Sequence, residues 1–407
     1  MNFHKFLALF LRGISLLGRF ALTFFITKEL SLELQGEYTL LATTITLLVM
    51  LVGFDFYIYS SRRIVKKKES SIFILKNQLF LHSVIFVFIS FLIVGYFYFF
   101  KTFFSIYYIF LIISLLFFEH LGQELFRMYL ILEKTLFANL LLFLRTGVWA
   151  IALSGYLFLF KVSELNLETI LILWLFSAIL SVFTGMLYFP NIKLLFDTKI
   201  DNQWIKKGLK VGLVMFISTI SVKIVEYSDR YLIDYFLGKT DLGIYSIFFQ
   251  LYNLINVVIF TLIISFTYPK IFHAVNDNHK QNILKLKNQI IIKSSLIIIL
   301  YGAFFWFTLP LILKTIDKNE LYPHQLIFFI LLLGGLFLNI SFSYHYILIA
   351  KGRELSIVKS TLFVAVFNII CNIILIPIYG ITGAAFTFLV SSILLLLTKS
   401  YYYRLTN

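Results

Sequence analysis

An all-α membrane protein of about twelve spanning helices, arranged as two pseudo-symmetric six-helix bundles around a central cavity, is the architecture this sequence predicts. Three observations predict it. The 407 residues are 60% hydrophobic and only 14% charged, the apolar stretches run for about twenty residues, and Lys and Arg gather in every second connection between them. A soluble domain averages about 45–50% apolar and about 25% charged residues. This chain has too few polar residues to coat a globular core, so its apolar surface must face lipid. A hydrocarbon layer about 30 Å thick needs about twenty helical residues at 1.5 Å each, whereas barrel strands read as short alternating segments.

The formal net charge of +15 does not point to nucleic acid, because most of the cations lie in short loops where they set topology and meet anionic headgroups. The one cysteine, Cys371, falls inside an apolar run, so neither a disulfide nor a cysteine metal site is expected. The first apolar segment, 3–26, follows Lys5 but is interrupted by Arg12 and Arg19. It has no small-residue cleavage site behind it, so it reads as a retained helix and not a signal peptide.

Hydropathy places spans at 4–27, 39–60, 77–100, 103–126, 138–160, 168–189, 209–234, 242–268, 289–314, 324–350, 357–377 and 381–402. Pro190, Pro269 and Pro377 fall at span ends, Pro323 opens a span, and Pro310 predicts a kink in the ninth. The sixth connection divides the chain into bundles at 1–200 and 201–407. Arg62, Arg63, Lys66, Lys67, Lys68 and Lys76 mark the second connection, and Lys193, Lys199, Lys206, Lys207 and Lys210 the sixth. Lys270, Lys280, Lys285, Lys287 and Lys293 mark the eighth, and Lys351, Arg353 and Lys359 the tenth. The alternate connections hold only Lys28, Lys101, Lys161, Lys239, and Lys314 with Lys318, and the last holds none. Excess cations place the first set of loops and both termini in the cytoplasm. No outer connection exceeds about fifteen residues, so no extracytoplasmic domain is expected.

A weak internal repeat runs through the chain. Leu30-Ser-Leu-Glu-Leu-Gln-Gly36-Glu-Tyr38 matches Leu237-Gly-Lys-Thr-Asp-Leu-Gly243-Ile-Tyr245 at a spacing of 207 residues. Tyr129-Leu-Ile-Leu-Glu-Lys134 matches Tyr346-Ile-Leu-Ile-Ala-Lys351 at 217. Six spans return each half to its starting side, so the duplication is parallel. Rocking one bundle against the other is then the expected route to alternating access.

A charge at mid-bilayer costs about 2.5–3.5 kcal/mol on insertion scales, so charges within spans mark candidate sites. Arg12 and Arg19 share one face of the first span, Asp55 lies in the second, Glu119 and His120 in the fourth, and Arg145 in the fifth. In the seventh, Lys223, Glu226, Arg230 and Asp234 form one stripe of alternating sign, with Asp229 beside it. That stripe reads either as a self-neutralised ladder or as cavity lining, and Arg12 and Asp234 lie near enough to span ends to snorkel. His345 in the tenth span suits packing, and Asn368 and Asn372 in the eleventh suit bonds between helices. The candidate substrate-binding residues are Arg12, Arg19, Arg145, Lys223 and Arg230, since guanidinium pairs with phosphate bidentately. Asp55, Glu226, Asp229 and Asp234 are candidates for carrying a coupling H⁺ or Na⁺.

No catalytic set is legible. There is no P-loop, no His and carboxylate cluster with metal-ligand spacing, and no loop long enough for a nucleotide-sugar site. No enzyme activity, cofactor or metal is therefore expected, and transport must draw on an ion gradient, the membrane potential or the cargo's own gradient.

Three segments carry a family resemblance: Lys28-Glu-Leu-Ser-Leu-Glu-Leu-Gln-Gly-Glu-Tyr38, Asp229-Arg-Tyr-Leu-Ile-Asp-Tyr-Phe-Leu-Gly238 continuing to Leu242-Gly-Ile-Tyr-Ser246, and Asn372-Ile-Ile-Leu-Ile-Pro377-Ile-Tyr-Gly380-Ile-Thr-Gly383-Ala-Ala385. The chain resembles the Wzx-type polysaccharide flippases of the multidrug, oligosaccharidyl-lipid and polysaccharide exporter superfamily. The resemblance implies translocation of an undecaprenyl-pyrophosphate-linked oligosaccharide for O-antigen, lipopolysaccharide or capsule assembly in the cell inner membrane. It implies membrane lipids, a polysaccharide polymerase and a chain-length regulator as partners, and no nucleic acid. Arg19, Arg145 and Lys223 stand by position for the cationic cavity residues of that family. Gly36, Gly243, Gly380 and Gly383 sit at turns or helix starts, where a missing side chain permits positive φ or close helix approach.

The alternatives separate on sequence features. A multidrug antiporter of the same superfamily would favour an acidic cavity for amphipathic cations, against which the arginines count. A lipid II flippase commonly has two more spans. An O-antigen polymerase or ligase would need a long outer loop bearing catalytic Arg or His. A membrane scaffold would have no reason to keep arginines deep in its spans.

Overall fold

With no water in the hydrocarbon layer, each backbone N–H must find a carbonyl within its own segment, which leaves the helix as the conformation for long apolar runs. The computed structural model describes residues 3–65, 70–99, 106–160, 165–189 and 197–405, and among the described residues there is no strand. Lys66, Lys67, Lys68, Lys101, Lys161, Pro190 and Lys193 lie outside the described residues.

The helices are α1 (Phe3–Glu29), α2 (Leu32–Gly53), α3 (Tyr57–Val65), α4 (Ser71–Phe99), α5 (Ile106–Ile131), α6 (Thr135–Thr146), α7 (Val148–Leu159) and α8 (Leu167–Leu187). Then follow α9 (Asn202–Leu237), α10 (Lys239–Ile259), a π turn (Phe260–Ile264), α11 (Ser265–Asn276), α12 (Lys280–Ile316), a 3₁₀ turn (Asn319–His324), α13 (Gln325–Ala350) and α14 (Glu354–Arg404). Among the described residues, ten helical stretches are long and apolar enough to cross a membrane, and α6 with α7, bent by 42°, make an eleventh. The 51-residue α14 is two helices joined across Gly380, whose backbone stands at φ 62° and ψ −149°. Counted as two, it brings the spans to twelve. Phe91 and Phe307, exposed by 72% and 75%, display the apolar exterior that lipid requires.

Several helices outrun the apolar windows. α9 begins at Asn202, α12 at Lys280, and α10 continues through the π turn and α11 to Asn276. Hydropathy registers the part of a helix that lipid covers, whereas backbone hydrogen bonding carries the helix on into polar residues. Pro269 and Pro377, expected at helix ends, accordingly lie inside helices. The second span lies earlier than its window: α2 stops at Gly53, and Phe54 and Asp55 take left-handed φ values of 46° and 48° before α3 begins. Asp55 thus sits in a break, not on a spanning helix. Phe54 stacks on Phe216 with ring centroids 4.6 Å apart, and Phe56 packs against Trp204. A Cβ on Gly208 would come 2.4 Å from the Phe56 ring, so the start of α9 needs a bare face there.

The chain forms two compact units, one comprising residues up to Phe25 with Leu41–Phe216, the other Ile26–Leu40 with Ile217 onward. In the first, Leu125, Met128 and Tyr129 of α5 pack with Ala138 and Leu141 of α6 and Val182 of α8. In the second, α14 runs along α13, and α10 and α12 pack on α13 in turn.

The second unit also contains the meeting of the two repeat motifs. A Cβ on Gly36 would lie 2.1 Å from the carbonyl oxygen of Lys239, and one on Gly243 would lie 2.0 Å from that of Leu32. Gly36 and Gly243 are 207 residues apart and Leu32 and Lys239 also 207 apart, so the two copies of the motif cross reciprocally, each glycine receiving the other copy's backbone. Lys239 pairs with Glu37 across the crossing. The Lys318 ammonium donates to the Thr27 and Leu30 carbonyls, and burial lowers its pKa against the opposing pull of Glu320 and Glu29.

Because neither backbone carbonyl can move aside, Gly36→Ala and Gly243→Ala should each destabilise the purified protein by about 1–3 kcal/mol, the usual cost of overpacking. Gly13→Ala and Gly155→Ala, which meet nothing within 4 Å, should leave the thermal midpoint unchanged or raise it. Equal midpoints for the two pairs would show that the crossing is loose.

Candidate functional site

The charges of the first unit gather where α5, α6 and α8 meet. Arg145 lies in the last turn of α6, just before the bend at Gly147. Its stem passes over Gly122 of α5, where a Cβ would come 3.0 Å from Arg145 Cδ. The side chain is buried, donates through Nη1 to the Glu119 carbonyl at 3.2 Å, and faces Glu119 Oε2 with Nε at 3.6 Å. The other Glu119 oxygen accepts from Trp174 Nε1 at 2.6 Å, and Trp174 stacks on Trp149. Serines of α8 fasten α6 alongside, as Ser181 Oγ donates to the Leu141 carbonyl at 2.9 Å. Arg145 Nε has no hydrogen-bond acceptor, so this interior guanidinium keeps donor capacity.

Arg12 reaches the same helix, donating from Nε to Asn139 Oδ1 at 2.5 Å, and is half-buried. Arg19, two turns further along α1, is exposed. Asp55 is buried at the break after α2. The structure therefore brings Arg12 and Arg145 onto one helix, α6, and leaves Arg19 on the surface of the unit.

In the second unit the α9 stripe divides. Lys223 Nζ donates to Glu226 Oε2 at 2.5 Å, an intrahelical pair with both side chains partly accessible. Arg230 is buried and lies against the Tyr227 and Phe249 rings, at 4.5 and 4.3 Å from their centroids, while Nη1 donates to the Glu226 carbonyl. Asp229 is buried on the adjoining face, where it accepts from Tyr245 Oη at 2.5 Å and from the Arg230 backbone N–H at 2.8 Å. Ser228 donates to Asn368 Oδ1 and Asn368 donates to Ser391, so Asn368 ties helices together as expected, whereas Asn372 donates to Asn368 within its own helix. Asp234 stands apart at the far end of α9, in the field of Lys239 and Glu37.

Residues that the sequence reading passed over complete both units. Lys399, near the end of the last span, is fully buried, lies 5.7 Å from the centre of the Phe342 ring, and is within electrostatic reach of Glu226 and His345. Its signal was a lone lysine in an apolar run, easily read as an interfacial charge. In the first unit, the expectation that no His and carboxylate cluster has metal-ligand spacing is corrected. His82 of α4 and His120 and Glu124 of α5 are all buried, with potential ligand atoms within 4.8 Å of one another. His82 lies 38 residues before His120, so only the pairing of α4 with α5 unites them.

The profile of a family described as "Polysaccharide biosynthesis protein" matches residues 6–275. No curated protein matches the sequence. Among solved structures, an inward-facing multidrug resistance MATE family transporter of the MOP superfamily aligns with TM-score 0.71 at 14% identity, covering 98% of each chain. The lipid II flippase MurJ in an inward closed conformation aligns with TM-score 0.63 at 16% identity, covering 99% of this chain and 88% of that one. At such identity these likenesses establish the fold.

The Arg145–Glu119 pair makes a quantitative test. Arg145→Leu leaves a buried carboxylate with Trp174 alone, which should cost about 3–5 kcal/mol, and adding Glu119→Leu should recover most of that loss. Unfolding of the two variants in detergent measures the difference, and an equal loss in both would mean that the charges are not coupled.

Proposed function

Since the chain belongs to the polysaccharide biosynthesis protein family and has the fold of flippase-type MOP-superfamily transporters, we propose that it translocates an undecaprenyl-pyrophosphate-linked oligosaccharide across the cytoplasmic membrane for O-antigen or capsule assembly. The observation that carries this reading is cationic: Arg145 and Arg230 are buried within spans and retained despite the cost of charge there. A guanidinium offers parallel donors to phosphate oxygens, and Arg145 Nε has no competing acceptor.

In this proposal the lipid-linked pyrophosphate is drawn to Arg12 and Arg145 in one half and to Lys223, Arg230 and Lys399 in the other. The glycan follows through a polar passage while the polyprenyl tail stays in lipid. Arg19, exposed on α1, serves as a first contact. The two halves, 1–200 and 201–407, act as bundles that alternate access, with both termini in the cytoplasm as the loop cations prescribe. Binding and translocation need no bond made or broken in the cargo. Glu226 and Asp229 carry the coupling H⁺ or Na⁺, because each is an acidic group placed beside a cation or hydroxyl that its charge state would rearrange, and Asp55 and Asp234 are further candidates. A polysaccharide polymerase and chain-length regulator receive the product on the outer side. A multidrug antiporter shares the fold, but buried arginines repel the amphipathic cations it would carry.

Reconstitution tests the reading. Proteoliposomes should flip a fluorescent undecaprenyl-pyrophosphate glycan and leave a cationic dye in place; the reverse would make the protein a drug exporter. The paired variant Arg145→Leu with Glu119→Leu, stable but without the guanidinium, should slow flipping roughly 10–100-fold, the worth of one charged hydrogen bond at about 1.5–3 kcal/mol. Unchanged rates would remove Arg145 from the path. Imposed pH and Na⁺ gradients should differ in their effect on initial rate, and indifference to both would exclude ion coupling.

A further inference from the structure

The cluster on α4 and α5 has no part in the transport path just described. His82 Nδ1 and His120 Nε2 face each other at 3.0 Å, with ring planes at 74°. Glu124 lies one turn beyond His120 on the same face, where it accepts from Gln78 and, at 2.7 Å, from Arg127. Arg127 in turn lies flat on Tyr57, 3.8 Å from the ring centre.

We propose that His82, His120 and Glu124 bind one divalent transition-metal ion, for which Zn²⁺ is the representative. The distance between the facing nitrogens is close to the edge of about 3.3 Å that two tetrahedral ligands define at metal–nitrogen bonds of about 2.0–2.1 Å. Two imidazoles and a carboxylate are a donor set for Zn²⁺ or a neighbouring first-row ion, not for Mg²⁺ or Ca²⁺, which take oxygen ligands. Three protein ligands leave a fourth position for water.

The surroundings have the features of an orienting outer shell. Gln78 and Arg127 fix the carboxylate, as outer-shell partners fix ligands in metal sites. The far ring nitrogens, His82 Nε2 and His120 Nδ1, have no hydrogen bond, while the Gly53 and Val49 carbonyls interact with the two rings. In the metal-free dyad one facing nitrogen carries the shared proton. The ion takes that place, and the histidine concerned shifts its proton to its far nitrogen. Glu124 is already offset by Arg127. Ionisation of the metal-bound water to hydroxide, releasing one proton to solvent, supplies a further negative charge. Gly53 leaves the site uncrowded, since a Cβ there would come only to 3.5 Å of the His120 ring. A pocket lined by Tyr57, Ser60, Gln78, Glu124, Arg127 and Met128 opens onto the carboxylate ligand.

The test uses the full-length protein, purified without a polyhistidine tag, stripped with chelator and titrated with Zn²⁺. One ion per chain should remain through gel filtration, and its X-ray absorption should show nitrogen and oxygen ligands with imidazole scattering. His82→Gln and His120→Gln should abolish retention, Gln78→Ala should weaken it roughly 10–100-fold, and His273→Gln and His279→Gln on the exposed surface should change nothing. Should the first two variants fail to fold, Zn²⁺ should still raise the thermal midpoint of the unaltered protein, and Co²⁺ should give the visible bands of a four-coordinate site. Three results would overturn the proposal: no retained ion, an adventitious ion only that survives in the doubly substituted protein, or a pair of histidines that binds a proton and no metal. Because the readouts are binding and spectroscopy, their failure leaves the flippase reading untouched, and loss of flipping activity leaves the metal site untouched.

Discussion

Everything in this molecule follows from placing polar groups where water cannot reach them. Inside hydrocarbon an unmatched charge or amide costs several kcal/mol, so each must find its complement in the protein. The backbone meets that demand through helices. The side chains meet it by two different means: Arg145 faces a carboxylate that is itself held by an indole, whereas Arg230 rests between aromatic faces beside a carboxylate bound to a tyrosine. The first arrangement offsets its guanidinium within the protein only in part, since the contact is 3.6 Å and Nε lacks an acceptor. The second leaves more of its charge to be answered by something else, since aromatic faces contribute about 2 kcal/mol when desolvated and carry no net charge.

The repeat adds a constraint of another kind. Two motifs separated by 207 residues meet so closely that each has room only for a glycine opposite the other's carbonyl. A single steric requirement, used twice in reciprocal positions, explains why Gly36 and Gly243 recur in equivalent places without any need for positive φ. Gly380 differs from both, because its φ of 62° is what allows one helix of α14 to end and the next to begin. Gly383 belongs with the first pair, since its Cβ would strike the Leu375 carbonyl at 2.3 Å. The same residue thus serves approach at three positions and backbone conformation at one.

The fold was legible because its cause is compositional. Twenty-residue apolar runs separated by cationic loops leave few alternatives, and the differences lie mostly at ends, where helices continue into polar sequence, and at the bend between α6 and α7. Asp55 is the instructive exception. Its neighbours are apolar enough to pass as span, yet two consecutive left-handed residues end the helix, and no hydropathy window reports φ. Contacts among charged residues were legible where chemistry and periodicity coincide on one helix, as in Lys223, Glu226 and Arg230. Those that depend on helix pairing were not: His82 and His120 come from different helices, and Lys399 acquires its neighbours only when α14 packs on α13. Sequence reveals a charge inside a span but not which partner answers it.

That distinction bears on how a carrier of anionic lipid can work at all. A fully self-neutralised guanidinium gives a phosphate nothing to gain, and an unanswered one would not survive in the bilayer. Arg145 lies between these limits: its contact to Glu119 Oε2 is 3.6 Å, long for a charge-assisted hydrogen bond, and its Nε is without an acceptor. Glu119 in turn has Trp174 to hold it when the arginine turns elsewhere. In the proposed flippase, a loose internal ion pair of this sort would make the exchange of carboxylate for pyrophosphate nearly balanced in energy, so that the cargo could be bound without being trapped. On that proposal, tightening the pair would stabilise the fold at the expense of transport, and loosening it would do the reverse.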